Sequence, residues 1–160
     1  MFFPKQKKIS GLVLVVQYEP KYRQGVLSIV GESIGQSALT ADDLKKHQAR
    51  DGIIVSLYNG KVVGYMVYHT GGFAVHIKRI AVLPIYQRRG VATCLIQWLV
   101  SAMFQKYGYV HISASVHEEN IVSLRFFFKS KFRIKSWVRD IHKGPEEGLY
   151  RDSVEMVYVQ

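Results

Sequence analysis

A strand, a long helix and a second strand follow one another in the middle of the sequence, and this unit constrains the fold more than any other part of the chain. The helix is indicated by Leu95, Leu99 and Met103, apolar side chains that recur at helical spacing. Because a crossover helix joins strands that run in the same direction, the unit predicts a pair of parallel strands. Its predicted parts are strand 74–83, helix 90–106 and strand 109–117.

The segments around this unit predict a mixed sheet. The apolar runs 53–58 and 62–69 flank Asn59-Gly60, a dipeptide typical of a type I′ hairpin turn. Thr40 is a predicted helix cap. The remaining predicted elements are strands 11–17, 132–138 and 153–159 and helices 20–33, 40–50 and 120–130. The fold class is therefore α/β or α+β, with a mostly antiparallel sheet of six to seven strands and about four helices.

The composition fits a single globular domain that spans residues 1–160. The chain is 48% hydrophobic and 21% charged, which excludes a disordered protein, and no apolar run reaches the length of a membrane span. The apolar run 9–16 is short and lacks a cleavage site, so it predicts a core strand and not a signal peptide. Cys94 is the only cysteine, which favours a reducing, cytoplasmic location.

The net charge of +10 favours a polyanionic ligand, such as a phosphorylated cofactor, an acidic substrate or a nucleic acid. The basic residues are scattered along the chain. Neither a helix-turn-helix pattern nor a basic stripe with interleaved aromatic residues accompanies them, which disfavours a nucleic-acid partner. No membrane partner and no metal site are predicted.

The connection 87–93, between the first strand of the unit and its helix, has the features of a phosphate-binding turn. A helix N-terminus has unpaired N–H groups and a positive partial charge. Arg88 and Arg89 add charge, and Gly90 allows a ligand to approach the backbone closely. The turn is neither a Walker A loop nor a dinucleotide fingerprint, because it has one glycine and no lysine after it. The alternative is an exposed basic turn before an ordinary helix.

Two motifs resemble the GNAT superfamily of N-acetyltransferases. IAVLPIYQRRGVATCLIQWLV (80–100) resembles the acetyl-CoA signature, and its residues 87–92 fit the pattern Gln/Arg-x-x-Gly-x-Gly/Ala. NIVSLRFFFKSKF resembles the family pattern Asn-x-x-Ala-x-x-x-Tyr-x-x-x-Gly-Phe through Asn120, Ser123 and Phe132. Within the family, the chain most resembles the subfamily of ribosomal-protein and other N-terminal acetyltransferases.

The resemblance implies a fold in which the central parallel strands splay apart. It also implies direct transfer of an acetyl group from acetyl-CoA to a primary amine of a small molecule or peptide. In N-terminal acetyltransferases a pair of tyrosines usually lies between the last two strands, where this chain has only Tyr150. The acceptor is therefore left open, as is a homodimer.

The resemblance also assigns roles to the motifs. The backbone N–H groups of residues 88–93 would hold the pyrophosphate of the cofactor, and residues 80–82 would pair with its pantetheine arm as an added strand. A backbone N–H near Val82 would polarise the thioester carbonyl. The residues implied to bind the cofactor are Ile80, Ala81, Val82, Gln87, Arg88, Arg89, Gly90, Val91, Ala92, Thr93, Asn120, Ser123 and Phe127.

A general base is needed because the attacking amine must be neutral. His76, six residues before Val82, stands where family members often carry a glutamate or another polar group, and a neutral imidazole can act as a base near pH 7. The alternative is a half-buried histidine that bonds to its strand neighbours. In the N-terminal subfamily the base position corresponds to Ser115, which cannot serve unaided.

The usual proton donor of the family is a tyrosine, and Phe127 stands at its position. Because a phenyl ring cannot donate a proton, three outcomes are open. The thiolate leaves unaided, another hydroxyl substitutes, or the protein is an acyl-CoA-binding sensor or regulatory module with weakened catalysis. Lys131 replaces the glycine before Phe132, and a lysine at a left-handed turn predicts a reshaped loop.

Overall fold

The computed structural model describes residues 12–32, 40–140 and 151–160. Its strands are β1 (Val13–Gln17), β2 (Gly52–Tyr58), β3 (Lys61–Gly71), β4 (Ala74–Val82), β5 (Ile112–His117), β6 (Phe132–Asp140) and β7 (Arg151–Tyr158). Its α-helices are α1 (Arg23–Glu32), α2 (Ala41–Arg50), α3 (Val91–Tyr107) and α4 (Ile121–Lys129), with 3-10 turns at Pro20–Tyr22 and Pro84–Tyr86. In this part of the chain, no helix is both long and apolar enough to cross a membrane.

The seven strands form one sheet in the order β1-β2-β3-β4-β5-β7-β6. β4 and β5 are parallel and the other neighbours are antiparallel, so the predicted mixed, mostly antiparallel sheet and its crossover unit are confirmed. The predicted hairpin turn is also confirmed. Asn59 and Gly60 have φ angles of 48° and 76°, as a type I′ turn requires at both central positions.

The helices bury opposite faces of the sheet. Val26 of α1 and Leu44 of α2 belong to a buried cluster with Tyr65 of β3, whereas Leu95 of α3 packs in a second cluster with Met66. Successive residues of a strand point to opposite faces, so α1 and α2 cover one face over β3 and α3 covers the other. The core therefore consists of two layers of side chains.

The predicted bounds needed small corrections. The helix predicted from residue 20 begins with a 3-10 turn at Pro20–Tyr22, and α1 starts at Arg23. The strand predicted at 74–83 is β4, which ends one residue earlier, at Val82. Residues 9–11 of the predicted first strand lie outside the described residues, as does Tyr150.

The prediction that Lys131 reshapes the loop between α4 and β6 is wrong. The Lys131 φ of 67° is left-handed, so the backbone keeps the turn that a glycine would favour. The Lys131 N–H donates to the carbonyl of Phe128 at 3.2 Å, and the Lys131 carbonyl accepts from the N–H of Val159 at 2.9 Å. These bonds impose the left-handed conformation on a residue that does not prefer it.

The central parallel strands splay apart, as the resemblance implied. β4 and β5 pair at three positions only, and the last pair is Ile77 with Ala114. Beyond that pair β4 continues to Val82 and β5 to His117 without partners in each other. Lys78 is an extra residue in the ladder between β3 and β4, and such a bulge increases the local twist. The result is an opening between the ends of the two strands, which we call the splay.

Candidate functional site

The edge of β4 that borders the splay carries backbone groups directed away from β3. The N–H of Leu83 donates to the carbonyl of Val63 at 2.9 Å. Because hydrogen-bonding groups alternate along a strand, Ala81 bonds towards β3, while the backbone groups of Ile80 and Val82 point into the splay. β5 no longer lies beside them. Such an edge can pair with an extended ligand as with an added strand.

Gln87 joins the end of β4 to the turn that precedes α3. Its side-chain Nε2 donates a hydrogen bond to the carbonyl oxygen of Val82 at 3.0 Å. This bond occupies the carbonyl and leaves the N–H of Val82 as the group directed into the splay. Gln87 therefore has a structural contact of its own, and its predicted contact with a cofactor stays a prediction.

The turn before α3 has an unusual backbone conformation. Arg88 and Gly90 have φ angles of 60° and 86°, both left-handed, and Gly90 is the N-cap without a side-chain cap. Left-handed residues within a turn direct neighbouring N–H groups towards a common point, which is the geometry of anion-binding nests. Cys94 makes the first helical bond, to Gly90. The N–H groups of residues 91–93 thus have no acceptor within the helix and can bind a ligand.

The charge and the strain of this turn agree with an anion site. Arg88 and Arg89 are exposed, and the Arg89 guanidinium lies 5.9 Å from the ring centroid of Tyr86. A left-handed conformation at a residue other than glycine costs about 1–2 kcal/mol, and such residues concentrate at functional sites. A Cβ added at Gly90 would meet no atom within 4 Å. The need for glycine there is therefore conformational and not steric.

His76 lies at the closed end of the splay. It pairs with Ser113 in the parallel ladder, and its Nδ1 is 2.9 Å from the Ser113 hydroxyl oxygen. The side chain is half-buried. Burial lowers the pKa of His76, although the charge of Glu155 opposes this effect. A histidine with a lowered pKa is neutral at pH 7, which is the state that can accept a proton.

The residues predicted on α4 have structural contacts. Asn120 caps the helix, and its Oδ1 accepts a hydrogen bond from the N–H of Ser123 at 3.1 Å. Phe127 is 3% exposed, and its ring packs against Phe132 at a centroid distance of 4.9 Å. The cofactor contacts predicted for Asn120, Ser123 and Phe127 stay predictions. The structure leaves a core phenyl ring, with no hydroxyl, at the position of the proton donor.

Cys94 is buried in the first turn of α3. Burial raises the pKa of its thiol, so the group is a protonated apolar side chain at neutral pH.

A cluster around Asp51 could not be predicted from the sequence. The Asp51 side chain is 2% exposed, and its carboxylate accepts from His47 at 2.7 Å, His69 at 2.9 Å and Lys78 at 3.1 Å. Burial alone would raise the pKa of Asp51, but these hydrogen bonds outweigh it and lower the pKa to about 2. The cluster fixes the bulged residue of β4 to the end of α2, next to the splay.

Parallel strands that splay apart beside a left-handed turn at the start of a helix are the architecture of the GNAT class of acetyltransferases. The sequence agrees with this assignment, since the model of the Acetyltransferase (GNAT) family matches residues 19–132. The chain belongs to this family of acetyltransferases, whose cosubstrate is acetyl-CoA.

Solved structures share the fold at low sequence identity. The ribosomal-protein-S18-alanine N-acetyltransferase from Escherichia coli aligns with a TM-score of 0.78 and 17% identity over 92% of this chain and 93% of that chain. An acetyltransferase from Bacillus subtilis in complex with CoA has a TM-score of 0.72 and 19% identity over 92% and 98%. The PaiA N-acetyltransferase from Thermoplasma acidophilum, in complex with coenzyme A, has a TM-score of 0.72 and 12% identity over 92% of this chain and 98% of that chain. No curated protein matches the sequence.

Proposed function

We propose that this protein is an N-acetyltransferase that moves an acetyl group directly from acetyl-CoA to a primary amine of a small molecule or peptide. The proposal rests on one observation: the free edge of β4 lies beside the turn before α3, in which Arg88 and Gly90 are left-handed. The Gln87–Val82 hydrogen bond holds these two features together. One ligand with an extended amide arm and a diphosphate can therefore use both.

The proposal divides cofactor binding between the turn and the strand edge. The N–H groups of residues 88–93 bind the diphosphate, and Arg88 and Arg89 neutralise its charge. The backbone groups of Ile80 pair with an amide of the pantetheine arm. The N–H of Val82 donates to the thioester carbonyl and stabilises the negative charge that develops there. Acetyl-CoA, when bound, supplies an acetyl group activated as a thioester.

His76 is the proposed general base. An alkylamine has a pKa of about 10.4 and is mainly protonated at pH 7, so the attacking nitrogen must lose protons during the reaction. In the transfer step the N–C bond forms, the C–S bond breaks, and the imidazole of His76 accepts the proton from nitrogen. Phe127 offers no proton, so the sulfur leaves as a thiolate, which a thiol pKa of about 8.5 permits.

Phe127 also favours a second candidate function. With no hydroxyl at the donor position, the same site could bind acyl-CoA and release it unchanged, as a sensor or regulatory module. The proposed site is common to both functions, and only turnover distinguishes them.

Steady release of free CoA in the presence of an amine tests the proposal. The E. coli relative is named for an alanine of ribosomal protein S18, so peptides with free N-termini are the first acceptors to offer, followed by small alkylamines. Multiple-turnover CoA release supports the transferase. Calorimetric binding of acetyl-CoA without release with any amine supports the binding module. Binding of neither CoA nor acetyl-CoA overturns both. The proposal includes a cytoplasmic location and one domain over residues 1–160.

A further inference from the structure

Glu155 lies on the same face of the sheet as His76, two strands away. Ser115 of β5 is directly opposite Glu155 of β7, and Ser113 of β5 is the register partner of His76. Register partners project to one face, and so do residues two apart on a strand. These four side chains therefore form a row across β4, β5 and β7, which we call the polar row.

The polar row is accessible in the described part of the chain. Ser115 is exposed, and the Glu155 side chain is 29% exposed, whereas neighbouring side chains of the opposite face such as Val154 and Met156 are buried. Adjacent strands are about 4.8 Å apart, and the two positions are offset by two residues, about 7 Å, along β5, so the backbones of His76 and Glu155 are separated by roughly 12 Å. Two side chains that reach towards each other across this distance leave room for one small polar group between them.

The carboxylate of Glu155 is held in place but not saturated. Its Oε2 accepts a hydrogen bond from the hydroxyl of Ser136 at 3.0 Å. Its Oε1 is 3.8 Å from the ammonium of Lys135, a half-exposed partner at the edge of ion-pair distance. A carboxylate has about four acceptor positions. Glu155 can therefore accept further hydrogen bonds from a group that enters the polar row.

The electrostatics of the polar row favour a cation beside Glu155. The chain has a net charge of +10, which repels a protonated amine unless a carboxylate stands where the amine must bind. Asp51 cannot do this, because three donors already occupy its buried carboxylate. The charged and titratable groups that act on His76 are Glu155 from β7, Lys78 from β4 and His69 from β3. Of these, Glu155 alone carries a negative charge.

We propose that Glu155 binds the ammonium group of the acceptor and places its nitrogen beside His76. This inference rests on the proposed function and narrows it. A carboxylate that accepts from an ammonium selects acceptors that are cationic in solution, such as alkylamines and peptide N-termini, over aryl amines, which are neutral. The amine binds in its protonated form between Glu155 and His76; it loses one proton to the solvent before it attacks, and His76 accepts the second proton as the N–C bond forms.

The decisive variant is Glu155→Gln, which keeps the size of the side chain and its bond to Ser136 but removes the charge. We expect the KM for a cationic amine to rise roughly ten- to a hundredfold, the effect of losing one charge-assisted hydrogen bond. The affinity for acetyl-CoA, measured by calorimetry, should be unchanged. An unchanged affinity would show that the variant is folded. The matched control is Glu19→Gln, which removes an exposed carboxylate paired with Lys21. Glu155→Asp retains the charge and should restore part of the affinity. An unchanged KM in Glu155→Gln overturns the proposal.

A measurement without turnover separates this inference from the proposed function. In NMR spectra of the ligand-free protein, Glu155→Gln should lower the pKa of His76, whereas Glu19→Gln should not. Addition of n-butylamine should shift the His76 resonances in the wild type and not in Glu155→Gln. Both results would support Glu155 as an amine-binding residue even if no CoA is released, in which case the proposed function alone fails. Equal titration curves, or equal shifts with n-butylamine, overturn the role of Glu155.

Discussion

Gln87 donates a hydrogen bond from Nε2 to the carbonyl oxygen of Val82, 3.0 Å away, and so fixes the turn before α3 to the end of β4. Replacement by glutamate removes the donor and sets a negative charge beside the proposed diphosphate site. Gln87→Glu should weaken acetyl-CoA binding about tenfold or more, measured by calorimetry. Gln97→Glu, on the exposed side of α3, introduces the same charge away from the turn and should leave the affinity unchanged. Equal affinities of the two variants for acetyl-CoA would show that Gln87 does not contribute to the cofactor site.

Two substitutions of Gly90 distinguish the effect of backbone strain on acetyl-CoA binding from the effect of charge. Because its φ is 86° and a Cβ would meet open space, Gly90→Ala adds strain of about 1 kcal/mol without a clash. Gly90→Asp adds the same strain and a carboxylate that faces the diphosphate. We expect acetyl-CoA affinity to fall modestly in the alanine variant and to be lost in the aspartate variant. Gly60→Asp, at φ 76° in the β2–β3 turn, is the control and should bind normally. Normal binding by Gly90→Asp would exclude this turn as the anion site.

The role of His76 gives a pH dependence of definite sign. Burial lowers the pKa of this histidine, so the neutral imidazole persists below pH 6.5 and is lost only as the pH falls further. The wild-type kcat/KM should therefore decline along an acid limb below pH 6.5. His76→Gln should lower turnover at pH 7 more than at pH 9, where more of the amine is already neutral.

The matched control for His76→Gln is His117→Gln. His117 is an exposed histidine of β5 and lies on the same face of the sheet as His76. This control variant should keep the wild-type pH profile. If His76→Gln has the wild-type profile as well, the base is a different group.

The main elements could be predicted because their signals are local. Leu95, Leu99 and Met103, spaced as a helix requires, are all buried on α3. Thr40 caps α2 as predicted, and its hydroxyl accepts from the N–H of Asp43 at 3.1 Å. Capping and helical periodicity depend on residues within a few positions of one another, so a single sequence contains them.

The parts of the site that could not be predicted depend on register and burial. Asp51 contacts His69 and Lys78, which are 18 and 27 residues away in sequence, and no periodic pattern links them. Glu155 reaches the polar row because β7 pairs with β5 and sets it opposite Ser115. Once both the strand order and the register are known, each relationship follows from the alternation of side chains. The strand order also shows that Ser115, at the base position of the N-terminal subfamily, has the carboxylate of Glu155 on the adjacent strand.

Asp51 should make stability depend on acid pH. Its pKa is lowered from 3.8 to about 2, so its hydrogen bonds stabilise the fold by about 2 kcal/mol above pH 4, and this contribution is lost as the pH falls towards 2. Urea unfolding should show Asp51→Asn less stable than the wild type by at least this amount at pH 7, with a smaller difference at pH 2.5. Asp42→Asn, an exposed change of equal charge on α2, should have a small effect at both pH values. If the difference in the free energy of unfolding between the wild type and Asp51→Asn is as large at pH 2.5 as at pH 7, the lowered pKa of Asp51 is not its cause.

Lys131 holds a left-handed φ of 67° because its N–H and carbonyl are fixed by Phe128 and Val159. Glycine adopts this conformation without strain, although it also gains freedom in the unfolded chain. Lys131→Gly should therefore stabilise the protein by roughly 0.5–1 kcal/mol, measured as a rise in the free energy of unfolding in urea. Lys129→Gly removes the same charge within α4 and should have the opposite sign, because glycine disfavours a helix by about 1 kcal/mol. A loss of stability in both variants would mean that the Lys131 side chain contributes more than its backbone strain costs.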